Sequence, residues 1–165
     1  MGTRTVTAGG GAYRTSYSYL AGSYNGSTTT GLISGITQTG ENFTYTYDDV
    51  GNIKTVTQNG KLTTYTYDKL GQLTRVDDQN DTTSGMTGTT WVYTYDLGGN
   101  ILNKKRYAYT TGTVGTVKET VSYTYGDSNW KDKLTQYSVQ VGTNPAITYT
   151  VTSDVIGNPT SDGTW

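Results

Sequence analysis

Residues 43–73 read FTYTYDDVGNIKTVTQNGKLTTYTYDKLGQL, and one phrase occurs in them twice. Tyr45-Thr46-Tyr47-Asp48-Asp49-Val50-Gly51 returns as Tyr65-Thr66-Tyr67-Asp68-Lys69-Leu70-Gly71. In each copy Tyr-x-Tyr alternates aromatic and β-branched side chains, which suits a pleated strand. Asp followed three residues later by Gly is the signature of a type I turn. The carboxylate accepts the turn's N–H groups, and Gly takes the left-handed conformation at little cost. A second strand then runs from Asn52 to Thr57. Each motif therefore predicts a hairpin, and the unit strand, turn, strand, turn leaves no room for a helix.

At the far end of that unit stands Asn59-Gly60, a strong hairpin signal. Two registers fit it. A two-residue type I′ turn sets Tyr65 opposite Lys54 and sends the second tyrosine pair to the other face. A type I turn over Thr57–Gly60 with a bulged Gly sets Tyr65 opposite Ile53 and gathers Tyr45, Tyr47, Ile53, Tyr65, Tyr67 and Leu73 on one face. The bulged form is preferred, because a repeat works when its copies are equivalent.

The phrase recurs as Tyr93-Thr94-Tyr95-Asp96-Leu97-Gly98-Gly99. Degraded copies lie near 17–33, 123–134 and 153–159, against clear ones at 45–51, 65–71 and 93–99. The step is 20 residues from Tyr45 to Tyr65 and 28 from Tyr65 to Tyr93. A stable phrase at a variable period marks one structural corner between excursions of changing length. The polar stretches 21–31, 77–90 and 110–116 read as long hairpin tips or loops. The motif resumes in phase on both sides of each, so residues 1–165 are expected to form a single array: all-β, antiparallel, with about ten to twelve strands.

Composition agrees with strands and turns. Only 32% of the 165 residues are hydrophobic, while Gly (22) and Tyr (16) abound. A net charge of −1 gives no electrostatic footprint for nucleic acid or an anionic membrane. There is no Cys, hence no disulfide or thiolate site, and no apolar run reaches the length of a membrane span.

Candidate chemistry is sparse. The chain has no His and no Cys, and no Ser or Thr stands in a nucleophilic constellation. The carboxylate pairs Asp48-Asp49 and Asp77-Asp78 are the composition a glycosidase uses, but turn chemistry accounts for Asp48, and Asp77-Asp78 reads as solvated loop. Asp77, Asp78, Asn80 and Asp81 are oxygen donors of the kind calcium takes, without the Gly and distal Glu of an EF-hand loop. No catalytic residue, metal site or cofactor is expected. The basic run Lys104-Lys105-Arg106 reads as a solvated face or an edge-protecting charge. The repeating tyrosines fit cross-strand ladders. Trp91, Trp130 and Trp165, which do not recur with the motif, are the candidates for a ligand patch, with a glycan as the ligand.

The phrases YTYDDVGNI, YTYDKLGQL and YTYDLGGNI resemble the YD repeat of the Rhs family, which includes bacterial Rhs and wall-associated proteins, the encapsulating subunits of Tc toxins, and teneurins. The closing GNPTSDGTW, residues 157–165, is similar to a segment inside the array of many Gram-positive members. The resemblance implies a spiralling β-shell that encloses or presents a C-terminal toxin domain, in a bacterial protein that is secreted or held at the cell surface. It implies partners among other repeats and the cargo, and it implies no enzyme, since the core motif with its self-cleaving aspartates is not in this sequence. Asp48, Gly51, Asp68, Gly71, Asp96 and Gly99 would set corners, and the tyrosine pairs Tyr45/Tyr47, Tyr65/Tyr67 and Tyr93/Tyr95 the spacing. A carbohydrate-binding module is the alternative. An array of this kind also leaves sheet edges, with Pro145 and Pro159 the only prolines to blunt them, so a homodimer or higher assembly through edges is expected.

Overall fold

The computed structural model describes residues 2–8, 11–22, 30–82 and 85–164. Among them every regular element is a strand. They are β1 (Gly2–Ala8), β2 (Gly11–Tyr19), β3 (Ile33–Gln38), β4 (Glu41–Tyr47), β5 (Ile53–Gln58), β6 (Lys61–Tyr67) and β7 (Leu73–Asp78). There follow β8 (Thr89–Tyr95), β9 (Ile101–Ala108), β10 (Glu119–Thr124), β11 (Gln136–Val141), β12 (Ile147–Thr150), β13 (Thr152–Ser153) and β14 (Pro159–Ser161). Strands β1 to β12 are hydrogen-bonded in chain order as an antiparallel array, and β13 pairs with β14. Two compact units divide the chain, Met1–Tyr65 with Asp78–Asn80, and Thr66–Asp77 with Asp81–Trp165.

In the first unit the alternation of β4 is visible in its exposure. Glu41, Phe43, Tyr45 and Tyr47 are half-buried, while Asn42, Thr44 and Thr46 face solvent. Pairing fixes the tyrosine face. Tyr45 stands opposite Val56, and a bulge between Thr46 and Tyr47 sets Tyr47 opposite Ile53. Across the next ladder the pairs are Val56 with Thr63, Thr55 with Thr64 and Gln58 with Lys61.

That register corrects the expected bulged turn at Thr57–Gly60. Asn59 and Gly60 are a two-residue loop closed by the Gln58–Lys61 pair, with φ of 49° and 84°, the signs of a type I′ turn. The tyrosines do not change face even so. The residue absorbed by the bulge makes Ile53 and Val56, three apart, share a face with Tyr47 and Tyr45, and Val56 carries that face to Thr63 and, by alternation, to Tyr65. The I′ turn is held by Asn59 itself. Its N–H donates to Asn42 O (3.0 Å), its Oδ1 accepts the Asn42 N–H (2.9 Å), and its Nδ2 donates to Glu41 Oε2 (2.8 Å). Twenty residues on, Gln79 bonds the backbone of Leu62 in the same way, donating its N–H to Leu62 O (3.1 Å) while its Oε1 accepts the Leu62 N–H (2.8 Å).

In the second unit the corner bulge repeats, with Thr94 opposite Asn103 and Tyr95 opposite Ile101. Beyond it, Val121 faces Val139 and Tyr123 faces Tyr137, which in turn faces Tyr149. The interior is thin and polar. Among the described residues the buried apolar side chains are Tyr107 and Val151, whereas Thr63, Asp77, Thr89, Thr90 and Arg106 are buried too. Cohesion therefore comes from ladder hydrogen bonds and cross-strand pairs, the latter worth about 0.2–1 kcal/mol each.

The expected loop 77–90 is shorter at both ends, because β7 runs through Asp78 and β8 begins at Thr89. Residues 110–116 carry no strand. Residues 23–29 of the first expected loop, and 83–84 of the second, lie outside the described residues.

Candidate functional site

The corners are the repeated chemistry. At each, the Gly N–H donates to the Asp carbonyl three residues back: Gly51 to Asp48 (3.1 Å), Gly71 to Asp68 (3.1 Å), Gly99 to Asp96 (3.2 Å) and Gly157 to Asp154 (3.1 Å). The glycines have φ of 93°, 78°, 90° and 90°, a region that L side chains avoid. The carboxylate completes the corner. Oδ1 of Asp48 accepts the N–H of Val50 (3.1 Å) and Asn52 (2.8 Å), and Oδ1 of Asp96 that of Gly98 (2.8 Å) and Asn100 (2.9 Å). Asp68 and Asp154 make the same pair, to Leu70 and Gln72 and to Ile156 and Asn158.

The residue after Gly was not singled out from the sequence, and it has a role. Asn52, Asn100 and Asn158 each donate Nδ2 to Oδ2 of their Asp, at 2.9, 3.0 and 2.9 Å. The signal was the dipeptide Gly-Asn, present at 51–52, 99–100 and 157–158. These bonds favour the ionised acid. The Asn100 side chain is the main reason that Asp96 lies below the ordinary 3.8, as the Asn158 side chain is for Asp154. At Asp48 desolvation pulls upward, and the bonds from Asn52, Val50 and Gly51 together outweigh it.

The second tyrosine of the phrase reaches back across the sheet. Tyr47 donates its hydroxyl to Ile33 O (2.7 Å), Tyr95 to Leu73 O (2.7 Å) and Tyr125 to Ile101 O (3.1 Å). Desolvation first, and the charge of Asp68 or Asp96 second, raise Tyr95 and Tyr125 above 10.0. The phrase at 153–157, degraded in sequence, is a complete corner. The copy at 123–126 is rebuilt, with Asp127 Oδ1 accepting the N–H of Asn129 (2.9 Å) and Trp130 (3.1 Å).

The two described tryptophans sit in different settings. Trp130 belongs to the corner row of the second unit, 45% exposed, its ring lying so close on Gly157 that a Cβ there would overlap it. Trp91 is on β8 opposite Arg106, and its ring carries the Lys104 ammonium at 4.0 Å and the Arg106 guanidinium at 5.7 Å. Cations thus already hold the Trp91 ring. Trp165 lies outside the described residues.

The basic run is corrected accordingly. Strand β9 is paired on both sides, and Arg106, 5% exposed, bonds Glu119 Oε2 at 2.7 Å. Asp77 is corrected as well, from solvated loop to buried anion at 7% exposure. It accepts Arg75 Nε at 2.8 Å and the Thr90 hydroxyl at 2.8 Å, while Arg75 Nη2 and the Thr90 hydroxyl both bond Thr110 O. Asp78 takes the Thr63 hydroxyl (2.8 Å) and Asp81 that of Thr89 (2.6 Å), so each carboxylate of this stretch serves a different strand contact.

Residues 47–83 match the family model described as RHS Repeat. No curated protein matches the chain in sequence. Among solved structures it is similar to TcdB2-TccC3-TEV and to the Photorhabdus luminescens Tc holotoxin pore carrying a TccC3 mutation. Each is 17% identical with a TM-score of 0.43, over 86% of this chain and 11% of the other. The chain thus spans about a ninth of the length of those neighbours.

Proposed function

Given an Rhs repeat at residues 47–83, we propose that this chain is an architectural module. It is a section of the β-shell of a secreted or surface-held bacterial protein, whose shell encloses or presents a C-terminal toxin domain, and it is not an enzyme. One observation carries the reading: the chemistry of the motif is spent inside the chain. In four corners the Asp carboxylate is tied to the turn that it closes, and at three of them an Asn donates to its second oxygen. Tyr47, Tyr95 and Tyr125 give their hydroxyls to backbone carbonyls. Groups so engaged position strands and leave no acid or base poised for a substrate.

The test uses the complete reading frame. Limited proteolysis of the whole protein should spare the domain downstream of the array, and glycine-to-valine changes at Gly71 and Gly99 together should expose it. Equal cleavage in both proteins overturns the reading. The module also pairs through its sheet edges. Strand β12 closes the strand order with β11 as its neighbour, and light scattering after size exclusion should give a mass above one chain; one chain at every concentration overturns this part. The carbohydrate reading has one observation in its favour, the 45% exposed Trp130. Binding on a glycan array that Trp130→Ala abolishes would establish it.

A further inference from the structure

A pocket of about 380 Å³ opens in the second unit between the β10–β11 pair and the β13–β14 hairpin. Its walls include two cross-strand pairs, Val121 with Val139 and Tyr123 with Tyr137, together with Val151 and Asp162. Among the described residues that line it, Asp162 alone carries a charge, and that charge is negative. The aromatic wall is fixed in place, since Tyr137 stacks on Tyr149 with ring centroids 4.8 Å apart. The carboxylate is fixed too: its Oδ2 accepts the Tyr137 hydroxyl at 3.0 Å and its Oδ1 the Thr164 N–H at 2.8 Å.

The lining selects by chemistry. A sugar would bury hydroxyls against valine and proline walls that give them no partner. An anion would meet Asp162. A neutral hydrocarbon would set an uncharged body against the negative charge of Asp162. A cation on an apolar body satisfies all three surfaces: the body lies against the valines, the charge over the tyrosine rings, and the carboxylate opposite. The size stands at the lower end of the roughly 300–1,000 Å³ of ligand pockets, which fits a body of one ring. We propose that this pocket binds a small organic ammonium, an aryl- or alkylammonium of one-ring size, with its nitrogen against Asp162 and Tyr137.

Methyl-labelled protein titrated with benzyltrimethylammonium, and separately with its uncharged isostere neopentylbenzene, tests this. The cation should shift the methyls of Val121, Val139 and Val151 and bind about tenfold or more tightly than the isostere, the scale of a desolvated cation–π contact with its counter-charge. Asp162→Asn should reduce that preference severalfold. Binding of both probes alike, or of neither at their solubility limits, overturns the proposal on the unmodified protein, whether or not the Asp162→Asn variant folds.

Discussion

Gly71→Ala and Gly157→Ala place the same methyl group at the same turn position and should still differ. Gly71 has φ of 78° and nothing within 4 Å of an added Cβ, so its substitution costs only the left-handed conformation, about 1–2 kcal/mol. Gly157, at 90°, carries that cost and also drives its Cβ into the Trp130 ring. The indole must leave. Trp130 is 45% exposed, so about half the burial of a large aromatic is forfeited, on the order of 1 kcal/mol more. At about 2–4 °C per kcal/mol for a chain of this size, Gly71→Ala lowers Tm by about 2–8 °C and Gly157→Ala by about 4–12 °C. Calorimetry and urea unfolding read both, with Lys69→Ala at an exposed turn centre as a control expected within about 0.5 kcal/mol of wild type. In a Trp130→Ala background the excess at Gly157 should vanish. An unchanged Tm for Gly71→Ala refutes the positive-φ closure of the corners, and an excess that survives loss of the indole refutes the Trp130 contact.

Three further outcomes follow from the same contacts. The carboxyls of Asp48, Asp96 and Asp154 sit below 3.8 in the folded chain; their contribution is therefore complete above the unfolded value and is lost as pH falls through the lower folded one. Tm should hold between pH 7 and about 5 and drop below about 4, with Asp96→Asn less stable than wild type at pH 7 and converging on it in acid. Asp77→Ala takes from Arg75 its counter-charge and from Arg75 and Thr90 one of the two acceptors they share, and should cost about 3–5 kcal/mol in urea unfolding, whereas Asp49→Ala on the exposed turn should cost almost nothing. Asn59→Ala puts a residue intolerant of φ 49° at the I′ turn and deletes the bonds to Asn42 and Glu41. A loss of about 1–2 kcal/mol is expected, with Asn59→Gly retaining part of it.

Local geometry was legible in the residues alone. Alternating Tyr and Thr bounded by Asp-x-x-Gly specifies strand and corner through contacts within five residues, so the hairpin order could be read from residues 43–73, as could the antiparallel class. Even there a degraded phrase misled, since Ser153 to Gly157 lacks both tyrosines and still closes a full corner: the turn needs Asp154 and Gly157 only. Whatever depends on partners distant in the chain was settled by the assembled sheet. The turn at Asn59-Gly60 is type I′ because Asn59 bonds Asn42, 17 residues away, in a strand that the turn sequence does not contain. Asp77 and the run Lys104 to Arg106 read as solvated because charge pattern alone carries no information about which strands flank it. Thr90 bonds the first, and Trp91 and Glu119 enclose part of the second. A buried charge is tolerated where counter-charges and hydroxyls replace its water, and those are supplied by neighbours that only the completed sheet brings alongside.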